Sequence, residues 1–578
     1  MTPSRSPITL VPSGSRSGST GKGEARNLNS SGCTDVIDPE LPAPLPPSAW
    51  KSLHTQWARL RAIDVPALFG LDPQRFERLS HTHDGLLLDF SKQRIDPTAL
   101  ESLLGLARAA GLERGVEALF GARPLNFTEN RAALHMALRG GCEAPPAERP
   151  GLHATEQGLR TFAERVRGGA HRGASGEPIG LVVNLGIGGS DLGPRMVVEA
   201  LSPSSPGNGP DVRFVANPDP LELDSVLAEA SPHTTLFIIS SKSFGTAETL
   251  ANAETARTWL RAGLGLNTGL GPHLAAVSNA VDAARGFGIP EEHIFPLPEW
   301  VGGRYSVWSA IGLPARIALG NPAFDALLDG GRSIDRHFRE APLERNLPVL
   351  LGLIGIWNAS IADIGTLALL PYSHALRSLP AWLQQLEMES NGKHCRRDGT
   401  PTPVATAPVI WGGAGTVGQH AFHQLLYQGT RAVAVDFVVP VNGSDPRSRM
   451  LVDNALAQSS ALMCGRTLAA ATEELRVKRG LNAKETARLA PHLACAGNQP
   501  STTLLLPQLT PYRLGQLMAL YEHKVFVQGW LWGINSFDQY GVELGKDMAR
   551  TLASGREDSA DPSTAGLLAA AQAMRQQP

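Results

Sequence analysis

Two short apolar runs, each followed by a loop of glycine and hydroxyl residues, constrain the fold of this chain more than any other feature. The first loop is Asn184-Leu-Gly-Ile-Gly-Gly-Ser-Asp-Leu-Gly193, which follows Leu181-Val-Val183. The second is Ser240-Ser-Lys-Ser-Phe-Gly-Thr-Ala-Glu-Thr249, which follows Leu236-Phe-Ile-Ile239. Apolar runs that end in such loops and lead into helix-like sequence are typical of a parallel sheet covered by helices. The pattern therefore predicts an α/β fold with both loops at strand ends.

The same two loops predict an anion-binding site. The N-terminus of a helix has unpaired backbone N–H groups and the positive end of the helix dipole. One glycine-rich loop alone indicates little, because a tight turn also needs glycine. Two loops, with no acidic residue in the second before Glu248, favour a phosphate monoester. Asp191 stands where the dinucleotide fingerprint needs glycine, and no Walker A motif is present, so we expect a small phosphorylated molecule rather than a nucleotide.

Composition and charge limit the class of protein. The chain has 578 residues, of which 42% are hydrophobic and 18% are charged, and this length predicts two to four globular domains. A net charge of -2 gives no electrostatic reason to expect a nucleic acid or a membrane as partner. The five scattered cysteines, without a C-x-x-C pair, indicate reduced thiols in a cytoplasmic protein.

The apolar run at 347–370 needs a separate test against a membrane span. It contains Pro348 near its start and Asp363 well inside it, and no second run of this kind without charged residues occurs. Because a charge inside a bilayer is costly, we interpret the run as a buried helix.

The order of the predicted elements indicates two doubly wound parallel-sheet domains with helical additions at both ends. We expect strands at 180–185, 211–216, 234–240, 273–277, 403–411 and 431–441, long helices at 347–390, and further helices at 417–428, 513–534 and 537–553. The predicted divisions are a disordered tail at 1–45, a helical region at 46–150 packing on the large domain, a first, small domain at 151–320, a second, large domain at 321–545, and a C-terminal helical arm at 546–578. Ser536-Phe-Asp-Gln539 fits a capping box, which predicts a helix start there and places Gln539, Glu543 and Lys546 on one helix face.

Several side chains outside the two loops are candidates for chemistry. Glu389 precedes an Asn-Gly turn at a helix end, and Arg304 follows a glycine pair. Glu389 could instead be a solvated surface carboxylate, and Arg304 could form a surface salt bridge. His420 and His423 are three residues apart, but no H-E-x-x-H motif or cysteine partner supports zinc, so a proton shuttle is the better interpretation. We expect no metal.

Taken together, these segments resemble the glucose-6-phosphate isomerase (phosphoglucose isomerase) family. The resemblance is collinear from about residue 50 to 550. It is carried by 126–135, 186–193, 241–249, 301–312, 388–393, 418–422 and, with the most specific match, 521–546.

The resemblance implies two sugar-isomerase (SIS) domains, a homodimer, no cofactor, and interconversion of glucose 6-phosphate and fructose 6-phosphate. It implies that Glu389 is the base, that Arg304 stabilises an enediolate, and that His420 from the neighbouring subunit and Lys546 assist ring opening. The implied phosphate and sugar ligands are Gly188, Gly189, Ser190, Ser241, Lys242, Ser243, Thr246, Thr249, Gln385 and Gln539.

The sequence departs from the family pattern mainly in the loop before His420. Gly413, Ala414 and Val417 replace the usual Glu, Pro and Asn, and Glu387 replaces the usual Asp. Two alternatives therefore stay open beside an active isomerase. One is a weakly catalytic sugar-phosphate sensor, and the other is a related aldose–ketose isomerase acting on an amino- or mannose phosphate.

Overall fold

Two separate β-sheets form the framework of the chain. The computed structural model describes residues 43–576 except 203–208, 266, 268, 442 and 555–559, so the tail predicted at 1–45 lies almost wholly outside the described residues. The strands are β1 (Ser80–His83), β2 (Leu86–Asp89), β3 (Leu181–Leu185), β4 (Asp211–Val215), β5 (Thr235–Ser240), β6 (Leu274–Val277), β7 (Ile294–Phe295), β8 (Thr366–Pro371), β9 (Val409–Gly412), β10 (Ala434–Pro440) and β11 (Ser501–Leu506).

Helices cover both sheets and extend beyond them at the two ends of the chain. They are α1 (Lys51–Leu60), α2 (Val65–Leu71), α3 (Arg75–Arg78), α4 (Pro97–Ala109), α5 (Leu112–Phe120), α6 (Arg149–Arg167), α7 (Gly189–Leu201), α8 (Pro220–Glu229), α9 (Ala247–Leu264), α10 (Val281–Phe287), α11 (Leu313–Leu319), α12 (Asn321–Glu340), α13 (Leu347–Ile356), α14 (Leu379–Leu383), α15 (His423–Gln428), α16 (Pro446–Cys464), α17 (Leu468–Val477), α18 (Ala483–Leu493), α19 (Pro511–Trp532), α20 (Glu543–Ala553) and α21 (Pro562–Arg575).

The first sheet is wholly parallel, with the strand order β4-β3-β5-β6-β7. Strand side chains alternate between its two faces. Leu236 and Ile238 of β5 pack in the cluster that contains α6, and Phe237 and Ile239 pack in the cluster that contains α8, α9 and α10. Both faces are therefore buried, which explains the near-continuous apolar sequence of these strands.

The second sheet has the order β1-β2-β11-β10-β8-β9. Strands β11, β10, β8 and β9 are parallel, whereas β2 runs antiparallel to β11 and forms a hairpin with β1. The hairpin lies in the region expected to be helical. Asp84 and Gly85 between the two strands both have positive φ, as a tight hairpin turn requires.

Four sequence-based expectations for the second half of the chain need correction. The helix expected at 417–428 is interrupted, because a 3-10 turn, Val417–His420, ends before α15 begins at His423. The run at 347–370 is a helix only as far as Ile361, and strand β8 follows it. The expected strand at 403–411 begins at Val409. No helix begins at Ser536, because α20 starts at Glu543, so Gln539 does not share a helix face with Glu543 and Lys546. Among the described residues, no helix is long and apolar enough to cross a membrane.

Candidate functional site

The two glycine- and hydroxyl-rich loops meet at one edge of the first sheet. Because β3 and β5 are parallel neighbours, their carboxyl ends lie side by side, and the strand order changes direction between them. Ligands of open α/β sheets bind at such a point. Asn184 joins the two loops: its Oδ1 accepts a hydrogen bond from Ser240 Oγ at 2.7 Å, and its Nδ2 donates to the backbone oxygen of Ser190 at 3.0 Å.

Glycine is required at two positions of the first loop. Gly188 has φ +61°, which L side chains rarely adopt. A Cβ atom on Gly189 would lie 1.9 Å from the carbonyl oxygen of Gly303. The first loop can therefore pack directly against the segment that carries Arg304 only because it has no side chain there.

Hydroxyl groups line the second loop at the start of α9. The hydroxyls of Ser241 and Thr246 are 3.1 Å apart, and Thr246 is the residue that precedes the helix. Thr249 Oγ1 is buried and has no hydrogen-bond partner among the described residues. Ser243 is exposed. A buried hydroxyl without a partner at a helix N-terminus fits an anion that would accept its hydrogen bond.

Glu389 and Arg304 form the centre of the site. Glu389 ends a π-helical turn, Gln384–Glu389, that continues from α14, and its side chain is 23% exposed. Arg304 is buried, and its Nη1 lies 3.7 Å from Glu389 Oε2. The carboxylate is thus open to solvent on one side and faces a fixed cation on the other.

The hydrogen bonds that Arg304 makes to other described residues use four of its five N–H groups. A guanidinium has five N–H donors. Nε donates to Ser390 Oγ at 2.6 Å, Nη1 to Gln539 Oε1 at 2.9 Å, and Nη2 to the backbone oxygens of Ser536 and Asp538 at 2.8 and 3.0 Å. The remaining N–H belongs to Nη1, the nitrogen nearest Glu389. Arg304 can therefore offer one charged hydrogen bond in front of that carboxylate.

A second cation supports the segment that holds Arg304. Lys393 Nζ donates to the backbone oxygens of Ser390, Asn535 and Asp538 at 2.7, 2.5 and 2.8 Å. Burial lowers the pKa of Lys393 to about 8, against the opposing attraction of the Asp538 carboxylate. Because three carbonyl oxygens accept from its ammonium group, Lys393 fixes the backbone around Arg304. All three of its N–H groups are then used, so it has none left to donate to a substrate.

The structure brings the expected sugar ligands to the same place. Gln539 binds Arg304 directly, and Gln385 Nε2 would lie 3.1 Å from a Cβ atom on Gly188. Gln385 therefore spans from the π-helical turn of Glu389 to the first loop. Lys242, by contrast, directs its ammonium group to Glu299, at 3.1 Å from both the backbone oxygen and Oε2.

His420 and Lys546 are not brought into this cluster by the contacts within one chain. His420 is exposed at the end of a short 3-10 turn, Val417–His420. Lys546 is 58% exposed on α20 and pairs with Glu543 at 2.9 Å. His423 is buried, so the two histidines of the predicted helix lie in different environments. Among the described residues, no group of three or more His, Cys, Asp and Glu is arranged to hold a metal ion.

Sequence reasoning missed the residues that hold Arg304 in place. Ser390 lies next to Glu389 within a segment already singled out, so its position alone could have suggested a role. Thr128 donates to Asp538 Oδ2 at 2.6 Å, and Asn535 Nδ2 donates to Asn126 Oδ1 at 3.0 Å. These contacts join residues about 410 positions apart, and no local pattern indicates them.

Comparisons with known proteins agree with this geometry. The family model described as Phosphoglucose isomerase matches residues 89–568. The chain belongs to the phosphoglucose isomerase family. The glucose-6-phosphate isomerase of Aromatoleum aromaticum is 62% identical over 532 residues, which cover 92% of this chain and 97% of that protein. The enzyme of the same name from Hahella chejuensis is 46% identical, with 90% and 96% covered.

A solved structure supports the same family membership at the level of the fold. The crystal structure of a glucose-6-phosphate isomerase from Chlamydia trachomatis superposes with a TM-score of 0.77 at 32% identity, and covers 91% of this chain and 98% of that one. The predicted fold class, an α/β chain built on parallel sheets, is therefore confirmed, although the second sheet also carries the antiparallel hairpin of β1 and β2.

Proposed function

We propose that this chain interconverts glucose 6-phosphate and fructose 6-phosphate by moving a proton between C1 and C2. The observation that carries the proposal is the Glu389 carboxylate facing the one uncommitted N–H of Arg304, beside two hydroxyl-rich loops. Membership of the phosphoglucose isomerase family and the names of the relatives support the same substrates.

In this proposal the two loops hold the phosphate group. The ligands are the hydroxyls of Ser190, Ser241, Ser243, Thr246 and Thr249 together with the backbone at Gly188 and Gly189. The positive end of α9 favours the dianion, and the unpartnered Thr249 hydroxyl gains an acceptor. Contacts so far from the reacting carbons act by orientation, because they fix C1 and C2 relative to the base.

Glu389 then acts as the general base. It removes the proton from one carbon of the open-chain sugar and returns it to the neighbouring carbon. The negative charge that develops on the substrate oxygen is stabilised by Arg304, whose position is already fixed by four hydrogen bonds. The substrate is neither oxidised nor reduced overall, so we propose no cofactor and no metal.

Ring opening needs a further acid–base pair, for which we propose His420 and Lys546. Both are exposed in the single chain, and we propose that His420 reaches the site of a neighbouring subunit in a homodimer. Exposed apolar side chains support such an assembly: on or beside α20 they include Val542, Leu544 and Met548, and Val417 beside His420 is 73% exposed. We place the enzyme in the cytoplasm, in line with the free cysteines among the described residues.

The experiment that tests the proposal is replacement of the base. Glu389→Gln keeps the shape of the side chain and removes its basicity. We expect kcat for fructose 6-phosphate to fall by about 10²–10⁴-fold, the usual contribution of a general base, while calorimetry shows the sugar phosphate still bound. The readout is a coupled assay without added metal or nucleotide.

Glu485→Gln, an exposed carboxylate on α18, is the matched control and should leave turnover unchanged. Wild-type turnover in Glu389→Gln would remove Glu389 as the base. A wild-type enzyme that is inactive on fructose 6-phosphate, yet active on an amino- or mannose phosphate, would overturn the substrate assignment.

A further inference from the structure

Lys242 belongs to the second loop, the phosphate loop of the proposed function, but its side chain is bound to a residue outside that loop. Its ammonium group contacts Glu299 twice, through the backbone oxygen and through Oε2, both at 3.1 Å. The Lys242 side chain is 33% exposed. The positive charge of this ammonium group is already balanced by a carboxylate. A phosphate would have to compete with that carboxylate for it.

Glu299 is also held by Asn279, which follows β6, and by Arg131. Its Oε1 accepts a hydrogen bond from Asn279 Nδ2 at 2.7 Å, and Arg131 Nη1 lies 3.3 Å from its Oε2. Although partial burial by itself would raise the pKa of Glu299, the hydrogen bonds from Asn279 and Lys242 lower it overall. The carboxylate thus stays ionised and keeps its partners.

The backbone of Lys242 is tied to the same place as its side chain. Its carbonyl oxygen accepts from the backbone N–H of Asn279 at 2.9 Å and from Ser278 Oγ at 3.2 Å. Asn279 therefore binds both the backbone of Lys242 and the carboxylate that holds its ammonium group. This closed set of contacts fixes the phosphate loop at Lys242 from two sides.

Glu299 connects this set to the segment that carries Arg304. It lies five residues before Arg304 in the chain. Lys242, Glu299, Gly303 and Gln539 line one cavity of about 200 Å³, and the backbone N–H of Leu134 donates to the carbonyl oxygen of Trp300 at 3.4 Å. Movement of the phosphate loop at Lys242 would therefore displace Glu299 and, with it, the segment that positions the guanidinium of Arg304.

We infer that Lys242 is a positioning residue, whose ammonium group ties the phosphate loop to Glu299 and the Arg304 segment instead of binding the phosphate. The inference rests on the proposed function, because it concerns how phosphate binding aligns the reacting groups. It replaces the role of Lys242 as a phosphate ligand that the family resemblance implied. The backbone of the loop and its hydroxyls remain the phosphate ligands.

A double-mutant cycle distinguishes the two roles. We expect Lys242→Met and Glu299→Gln each to raise KM for fructose 6-phosphate by about two- to five-fold, the range of a partly exposed ion pair, with kcat changed less. The double variant should be no worse than either single variant, because both remove the same contact. Lys242→Arg should recover most of the wild-type KM, since its guanidinium also reaches a carboxylate.

Other outcomes would overturn the inference. If Lys242 binds phosphate, Lys242→Met alone should raise KM by about 10–100-fold, as expected for a lost charged hydrogen bond, while Glu299→Gln leaves KM equal or lower. Additive effects, or no effect of either variant, would also reject it. Arg213→Met, which removes the exposed ion pairs of β4 with Asp211 and with Glu229 of α8, is the control for a general loss of stability. Absence of wild-type turnover would instead reject the proposed function, so the two failures are distinguishable.

Discussion

At the scale of single residues, the site depends on how completely Arg304 is bound. Four of its N–H groups are donated to Ser390, Gln539, Ser536 and Asp538, and the side chain is buried. A lysine would keep the positive charge, but it has only three donors and no planar fork. Charge alone therefore cannot reproduce what Arg304 does.

This argument predicts the behaviour of Arg304→Lys. We expect kcat for fructose 6-phosphate to fall by about 10²–10³-fold, the usual cost of one lost oxyanion donor. We also expect a lower melting temperature, because buried acceptors such as the carbonyl oxygen of Ser536 lose their donor. Steady-state kinetics and calorimetry measure the two effects. Arg447→Lys, whose side chain is 86% exposed, is the control, and equal losses in both variants would contradict a special role for Arg304.

The sequence indicates the residues of this site better than it indicates their contacts. The two phosphate loops follow from glycine and hydroxyl residues after apolar strands, and Asn184 joins them as parallel neighbours. The turn of Lys242 towards Glu299 depends on a residue 57 positions away, and no local pattern specifies it. Residue types and the parallel arrangement of these strands can be read from the chain, whereas the direction of a long flexible side chain depends on tertiary contacts.

At the scale of elements, errors occurred where a pattern is ambiguous or tertiary contacts override it. The run at 347–370 is mostly apolar in both its helix and strand β8, so periodicity does not separate the two elements. The β1–β2 hairpin did carry a recognisable signal, the Asp84-Gly85 pair directly before the apolar run at 86–88. The capping box at Ser536 failed because its hydroxyl donates to Asn391 Oδ1 at 2.7 Å and its carbonyl oxygen binds Arg304.

The element that carries Glu389, the proposed base, is itself held by a buried ion pair. Lys524 Nζ of α19 lies 2.7 Å from Glu387 Oε2, and both side chains are at most 1% exposed. Glu387 stands two residues before Glu389 on the same π-helical turn. Asn391 also contacts Glu387 Oε1 at 3.3 Å. The turn that presents the proposed base is therefore anchored to α19, the longest helix among the described residues.

Removing one partner of this pair should be far worse than removing both. Lys524→Met leaves the Glu387 carboxylate buried without a cation, and we expect a loss of about 3–5 kcal/mol in the free energy of unfolding. The double variant Lys524→Met/Glu387→Gln should recover much of that loss, because the Glu387 carboxylate is no longer left without its cation, although buried Asp436 still lacks the attraction of Lys524. Urea denaturation measures both. Equal stability of the single and double variants would show that the ion pair does not anchor the turn.

At the scale of the whole molecule, a single copy leaves two C-terminal helices with large apolar side chains exposed. Neither α20 nor α21 has a buried residue, although each carries large apolar side chains such as Leu544, at 70% exposure, and Leu567, at 69%. His420, the proposed acid–base residue, is exposed beside the exposed Val417. A second copy covering these surfaces would bury the apolar side chains, and the proposed sharing of His420 would complete the site.

Hybrid dimers test this sharing directly. Glu389→Gln and His420→Ala homodimers should both have little activity, because each lacks one group at both sites. In a hybrid dimer, one site combines Glu389 and His420 from different chains and is intact, whereas the other lacks both.

Random mixing makes half of the dimers hybrids with one working site each, so co-expression should restore about a quarter of the wild-type activity. If His420 serves its own chain instead, every site lacks one group and mixing restores nothing. Differently tagged chains, purified through both tags, should raise the recovery to about half, because every dimer then has one intact site.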